Sequence, residues 1–345
     1  MLWRKSKPFF AGAWSFAVFL AKFRQSKASI FILVCSSDFN VVTSMSRGVM
    51  YLLMGEQHAA NMAVSLCSLR ESGYDGDIHI FCDRIGGPLA RKIVRSSDDE
   101  SLRSIGVTST KQLENIPGKL AKTLLGELSL FDATVYLDAD TLIVAKDALD
   151  KLWPKQSELV LTQFSDWVTT RNRMRGRISE WARCEPARTA ACLKFPDPVI
   201  NTGAMGFSTI SKPVLDEWRK VAWKRANHDN SASGRRRKYE PSDELALQLI
   251  FREYPNRVLD WRWNASCVFD AKNAGPDVRI WHFHGFKSFK RESGRNLFMP
   301  SYLKYLREDR CGLRSIPLPA KCVSSLLDNV AADVCEELQS LWKWR

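Results

Sequence analysis

The nine cysteines, at positions 35, 67, 82, 184, 192, 267, 311, 322 and 335, include no C-x-x-C pair, so neither a zinc ribbon nor a thioredoxin-like redox motif is encoded. Scattered and odd in number, they suit the reduced thiols of a cytosolic protein better than a disulfide framework. Long apolar runs are also lacking. The run from Pro8 to Ala21 has about 14 residues, where a helix needs roughly 20 to cross a bilayer. Histidine is scarce, with five in 345 residues, so any cluster of them carries information. Acidic side chains are outnumbered, 38 against 51 Lys and Arg, which leaves a formal charge of +13. That excess points to an anionic partner: nucleic acid, acidic lipid or a phosphorylated substrate.

Hydrophobic content of 45% with 26% charged residues is that of an ordinary globular enzyme, long enough for one large domain or two. Residues 1–44 differ from the rest. Arg4, Lys5 and Lys7 precede the apolar run, and Lys22, Arg24 and Lys27 follow it. Three readings fit: a membrane-surface anchor, a targeting segment, or translated sequence upstream of a start at Met45 or Met50. The last is the expectation. The domain boundaries that follow are 1–47 for this extension, 48–310 for the main domain and 311–345 for a helical tail.

The stretch that organises the chain is TVYLDADTLIV, Thr134 to Val144. A β-branched and aromatic run suits a buried strand of an α/β sheet, and it breaks at Asp138-Ala139-Asp140. Open α/β sheets bind ligands outside the carboxyl ends of their strands. Two carboxylates one residue apart there can reach a single hard cation, Mn²⁺ or Mg²⁺, shared with the phosphates of a substrate.

Upstream, VMYLLM (Val49–Met54) reads as a strand, Gly55 as the turn, and 58–71 as a helix with Met62, Leu66 and Leu69 on one face. A second strand, Asp77 to Asp83, completes a βαβ unit whose loop ends, Gly55 and Asp83, lie on one edge. Asp83 is either a strand-end cap or a nucleoside partner. Residues 84–118 are polar and suggest a helix with a variable connection. Lys119 to Leu130 reads as one amphipathic helix leading to the aspartates, and Lys122 on it is by default solvated.

Downstream, the arginine-rich stretch 171–188 is by default a solvated helix face. VINTGAMGFS (199–208) is a strand interrupted at Asn201-Thr202-Gly203, where a glycine suggests a bulge or a close backbone approach. Lys212 to Ala226 is a helix and 227–241 a basic surface loop. Ser242 is a helix N-cap, with Asp243 and Glu244 favouring the dipole. IWHFHGFKSFK (280–290) then gathers His282, His284, Gly285 and Lys287, a set offering imidazole for a metal and ammonium for phosphate. An apolar stripe at helical spacing closes the chain between 324 and 342.

In their order these pieces resemble the GT-A-fold glycosyltransferases, in particular retaining family 8-type enzymes of the glycogenin-like and bacterial galactosyltransferase-like kind, over roughly residues 48–290. The pieces are Lys122, LDADT, Asn201-Thr202-Gly203, Ser242-Asp243-Glu244 and His282 to Lys287. The resemblance implies a Rossmann-like, mixed and mostly parallel sheet flanked by helices in a single large domain. It implies transfer of a sugar from a nucleotide-diphospho-sugar, most often a UDP-sugar, to a hydroxyl acceptor with retention. Asp138, Asp140 and His282 would hold Mn²⁺ or Mg²⁺, with His284 as the alternative ligand. Leu53, Gly55 and Asp83 would lie near the nucleoside, with Asp138, Gly203, Gly285 and Lys287 also on the donor. Lys122, Asn201, Asp243 and Glu244 would surround the transferred sugar. Two departures stand out: many members place the final lysine one residue further from the glycine, and many carry glutamine where Glu244 stands.

The basic runs favour a glycan or lipid-linked acceptor, with the protein cytoplasmic and peripheral at the inner face of an anionic membrane. Two rivals are weaker. A sugar-phosphate nucleotidyltransferase needs a Gly-rich basic loop after its first strand, which MGEQHAA does not supply. A nucleic-acid-binding protein would explain the charge, but no nucleic-acid motif is present.

Overall fold

Strand β1 (Arg47–Leu53) builds both faces of the molecule. Val49, Tyr51 and Leu53 enter one hydrophobic core, and Met50 and Leu52 enter the other. A strand buried on both sides requires this two-residue alternation. The computed structural model describes residues 45–96, 100–165, 168–232, 242–270, 275–284 and 292–316. All of them belong to the compact unit Ser44–Arg345, and the first unit, Met1–Thr43, lies outside the described residues.

In chain order the further strands are β2 (Asp77–Cys82), β3 (Gly106–Ser109), β4 (Ala133–Leu137), β5 (Thr141–Ile143), β6 (Leu159–Gln163), β7 (Ile200–Ser208), β8 (Asn256–Leu259), β9 (Ala265–Ser266) and β10 (Ile280–His282). Seven of the strands form one sheet of order β3-β2-β1-β4-β7-β6-β8. Only β7 runs against its neighbours β4 and β6, and every other pairing is parallel. This is the mixed, mostly parallel sheet expected from the sequence.

The helices are α1 (Ala59–Glu71), α2 (Gly86–Arg95), α3 (Glu100–Arg103), α4 (Gly118–Lys122), α5 (Leu125–Leu128), α6 (Val168–Ser179), α7 (Pro186–Lys194), α8 (Lys212–Ala232), α9 (Asp243–Ile250) and α10 (Glu292–Arg307). α1 covers one face of the sheet, with Met62, Leu66 and Leu69 buried as their spacing predicts. On the other face Trp218 of α8 is fully buried, and its indole N–H donates to the carbonyl of Asp243 at 2.9 Å. Burying such a ring contributes roughly 2–3 kcal/mol and anchors the start of α9. No helix among the described residues is long and apolar enough to cross a membrane.

Three local expectations change. Residues 119–130 form two short helices instead of one. Thr123 turns its hydroxyl back onto the Leu120 carbonyl at 2.7 Å, and a Cβ on Gly126 would come within 2.9 Å of Leu215 on α8. Threonine and glycine both weaken a helix interior, and close packing on α8 outweighs continuity. Residues 84–118 contain an edge strand, β3, whose small and exposed residues conceal it in the sequence. α8 continues past Ala226 to Ala232, while 233–241 lies outside the described residues.

A second, three-stranded sheet of order β5-β10-β9 matters most for the site. The chain after Asp140 does not continue β4. It starts β5, which pairs antiparallel with β10 and sets His282 opposite Thr141.

Candidate active site

The main sheet delivers Asp138 at the end of β4, and the second sheet delivers His282 at the end of β10. The Asp138 backbone N–H donates to Gly203 O at 2.8 Å, and Phe283 N–H donates to Asp140 O at 2.9 Å. These bonds tie the aspartate turn to β7 on one side and to β10 on the other. His282 Nε2 then stands 3.4 Å from Asp138 Oδ2 and 3.4 Å from Asp140 Oδ1. One ligating atom from each of the three residues lies within 4.8 Å of the others. Two carboxylate oxygens and one imidazole nitrogen make a donor set suited to a hard divalent ion.

Burial pushes the Asp140 carboxyl up, but the charge and hydrogen bond of His282 outweigh it and hold the group well below the usual carboxylate range. For His282, burial opposes protonation, and Asp140 followed by Asp138 more than restores it. His284 is placed differently. Its Nε2 meets Ser266 Oγ at 2.8 Å, its ring packs on Phe164, and its backbone is left-handed with φ of 51°. The left-handed turn leaves the His284 ring 4.0 Å from the His282 ring, and the geometric cluster contains His282 but not His284.

A second group adjoins the first. Lys122 Nζ bonds Asp138 Oδ2 at 2.9 Å and lies 3.1 Å from Asp243 Oδ2. Burial lowers the lysine's affinity for its proton, and the two carboxylates reverse this, so its pKa stands well above the ordinary value. The default of a solvated lysine is therefore corrected: α4 aims Lys122 into the site between two acids. Tyr136 and Thr202, given no role of their own from the sequence, complete the network. Tyr136 donates its hydroxyl to Asp138 Oδ1 at 2.6 Å, and Thr202 donates to Asp243 Oδ2 at 2.7 Å. Tyr136 faces the core opposite to its neighbours Val135 and Leu137, and its hydroxyl two residues before Asp138 was the available signal.

No protein-family model and no curated protein sequence matches the chain. Among solved structures it is similar to the galactosyltransferase LgtC in complex with donor and acceptor sugar analogs, at a TM-score of 0.53 and 14% identity, covering 81% of this chain and 100% of that one. It is also similar to the bifunctional glycosyltransferase WbbM, at a TM-score of 0.52 and 13% identity, covering 80% of this chain and 52% of that one. The fold is GT-A.

Within this GT-A fold the remaining predicted residues fall into two sets. Ser242 caps α9 as expected, accepting from Leu245 N–H at 3.3 Å. The cap brings Asp243 and Glu244 onto the first turn beside Lys122. Glu244 is half-buried, and burial followed by the Asp243 charge pushes its carboxyl up to about 7. β7 carries a register shift against β6, as the glycine suggested. Asn201 braces it: Oδ1 accepts from Gly203 N–H at 3.1 Å and Nδ2 donates to Asn264 O at 3.2 Å. Fully buried and bonded at both ends, its carboxamide shapes the strand from within.

Beside β4 on the same edge, Leu53 ends β1 and is fully buried, and Gly55 turns with φ of 69°. Asp83 accepts from Gly55 N–H at 3.0 Å and from Gly86 N–H at 2.6 Å, pinning two loops together. Gly285 and Lys287 lie outside the described residues, as do the 235–238 basic run and the C-terminal stripe.

Proposed function

We propose that the chain is a divalent-metal-dependent glycosyltransferase that moves a sugar from a nucleotide-diphospho-sugar to a hydroxyl acceptor. The observation that carries this is the abutment of two groups through one residue. Asp138 belongs both to the Asp138–Asp140–His282 cluster and to the Lys122–Asp243 network. In a GT-A fold this puts a cation site and a set of acids next to each other on the ligand-binding edge of the sheet.

Asp138, Asp140 and His282 would hold the ion, Mn²⁺ or Mg²⁺, and their donor atoms fit it. An ion held by these three residues would supply Lewis-acid neutralisation of charge on a departing diphosphate. Gly285 and Lys287 follow directly in sequence and are assigned to the same phosphates. Gly55, at the end of β1, and Asp83, at the end of β2, orient the nucleoside end. Asp243 and Glu244 face the cationic character that grows on the sugar, Asp243 as a fixed anion held by Lys122 and Thr202. Asn201 acts as a positioning residue, since its side chain is spent on the bulge that presents Gly203.

The donor is assigned as a UDP-sugar, the transfer as retaining, and the acceptor as a glycan or lipid-linked glycan at an anionic membrane face. The LgtC structure was solved with donor and acceptor sugar analogs, which supports the donor and acceptor classes. A thermal-shift panel of nucleotide-sugars with and without Mn²⁺ tests the proposal, because ligands of the native state raise its melting temperature. A metal-dependent shift with one or more UDP-sugars, followed by sugar release from that donor, is expected. No shift with any nucleotide-sugar would sink it.

A further inference from the structure

Cys67 sits within α1, and Cys311 lies in the turn Arg310–Ser315 that follows α10. Both are fully buried in the same core. Their Sγ atoms are 2.8 Å apart, although 244 positions separate them in sequence. Carbon atoms in contact stand about 3.5–4.0 Å apart, and sulfur is larger, so these thiols are closer than packing alone brings them. A disulfide needs roughly 2.05 Å between the sulfurs. The backbone is arranged for the approach. Cys311 and Gly312 are both left-handed, with φ of 56° and 61°, and the tight turn drives the Cys311 side chain into α1.

The same two segments are clamped by charge. Glu71, one turn beyond Cys67, takes Lys304 Nζ and the Tyr305 hydroxyl, each at 2.7 Å, and also pairs with Arg310. The Arg310 guanidinium interacts electrostatically with both thiols. The thiolate is the attacking species in disulfide exchange, so the exchange starts once a sulfur reaches solvent.

We propose that Cys67 and Cys311 are an oxidisable pair that forms a disulfide and locks the α10 segment onto α1. The oxidant is a small-molecule disulfide, R–S–S–R. One cysteine thiolate attacks it, forming a mixed disulfide and releasing RS⁻. The second cysteine thiolate attacks the protein-side sulfur, closes the Cys67–Cys311 bond and releases the other RS⁻. The two cysteines lose two electrons, the small disulfide gains them, and the two protons pass to the departing thiolates. A dithiol reverses both steps. Because neither sulfur is exposed, the first attack waits on local opening of the α10 segment. Loosening the clamp with Glu71→Gln therefore speeds oxidation.

The test uses the full chain incubated with oxidised glutathione, alkylated, digested without reduction and mapped by mass spectrometry. The expected product is a peptide pair joined through Cys67 and Cys311. Closing so long a loop raises the melting temperature by on the order of 5 °C, and dithiothreitol returns it to the starting value. Cys67→Ala removes the oxidant-dependent shift. The peptide map of the unmodified sequence stands even if that variant folds poorly. Recovery of both cysteines as alkylated thiols, as glutathione adducts only, or linked to other cysteines overturns the proposal.

Discussion

Gly203 and His282 touch: a Cβ built on Gly203 would stand 2.5 Å from both Cε1 and Nδ1 of the His282 ring. The bulged strand β7 thus backs the imidazole on the side away from the carboxylates. Only a residue without a side chain lets the ring lie there. The contact explains why a glycine stands at this point of β7. Gly203→Ala is expected to displace His282 and weaken Mn²⁺ binding by roughly 10–100-fold, as for other changes behind a metal ligand. Gly275→Ala, at a glycine with open space around its Cα, serves as the control and leaves binding unchanged. Calorimetric titration with Mn²⁺ measures both.

Removing a proposed ligand acts more directly. Asp140→Ala is expected to abolish the Mn²⁺-dependent rise in melting temperature and the metal-dependent turnover of donor. His284→Ala should retain both in large part, because that ring is held by Ser266 and lies outside the three-residue cluster. Equal losses in the two variants would overturn the assignment of His282 as the histidine ligand.

Lys122 neutralises the buried Asp243 and the half-buried Asp138, so its removal leaves uncompensated charge. Breaking a buried pair in this way costs about 3–5 kcal/mol. Lys122→Met should lower stability by that order in urea titration, and Lys122→Met combined with Asp243→Asn should recover part of it. A loss below about 1 kcal/mol in the single variant would show that solvent screens the network.

Glu244 sets a pH dependence whose sign follows from its raised pKa. In the unfolded chain the carboxyl ionises at the ordinary value of 4.5, and in the folded protein at about 7. Between these values the folded state binds more protons, so stability falls as pH rises, and it levels off above about 7. Measured against Glu244→Gln, which cannot ionise, the native sequence should lose ground between pH 5 and pH 8. In the proposed reaction the ionised form faces the sugar cation, so kcat/KM should climb through the same range and flatten in the variant. A stability difference independent of pH contradicts the assignment.

The cap on α9 is the simplest test of local architecture. Ser242→Ala removes the oxygen that accepts Leu245 N–H and is expected to cost about 1 kcal/mol. The same helix turn presents Asp243 and Glu244, so donor binding should weaken alongside stability. Ser242→Asp, which restores an acceptor, should recover most of the stability.

Much of the site was legible because its pieces are local. YLDADT announces a buried strand breaking on two acids, and Ser242-Asp243-Glu244 announces a capped helix start. Asn201-Thr202-Gly203 announces a bulge. Lys122 was legible only through its place in the order of motifs, because a lysine on a short amphipathic helix carries no sign of burial. Tyr136 and Thr202 were given no role of their own. Each looks like an ordinary strand residue, and its hydroxyl gains meaning only from the carboxylate across from it. Cys67 and Cys311 were equally silent, since a thiol pair formed across most of the chain leaves no spacing to find.

The sequence by itself determined the strands β1, β4 and β7, the capped start of α9, where β4 stops, and which side chains stand at that stop. Those features follow from two-residue and 3.6-residue periods, a cap and a glycine, all of them short-range. Only the tertiary structure decided which distant groups meet there. The antiparallel register of β5 with β10 sets Thr141 opposite His282, and that pairing chooses His282 over His284 as the neighbour of both aspartates. The packing of α4 and α9 against the sheet chooses Lys122 as the bridge to Asp243. Register and helix packing are properties of the assembled core, and no local period encodes them.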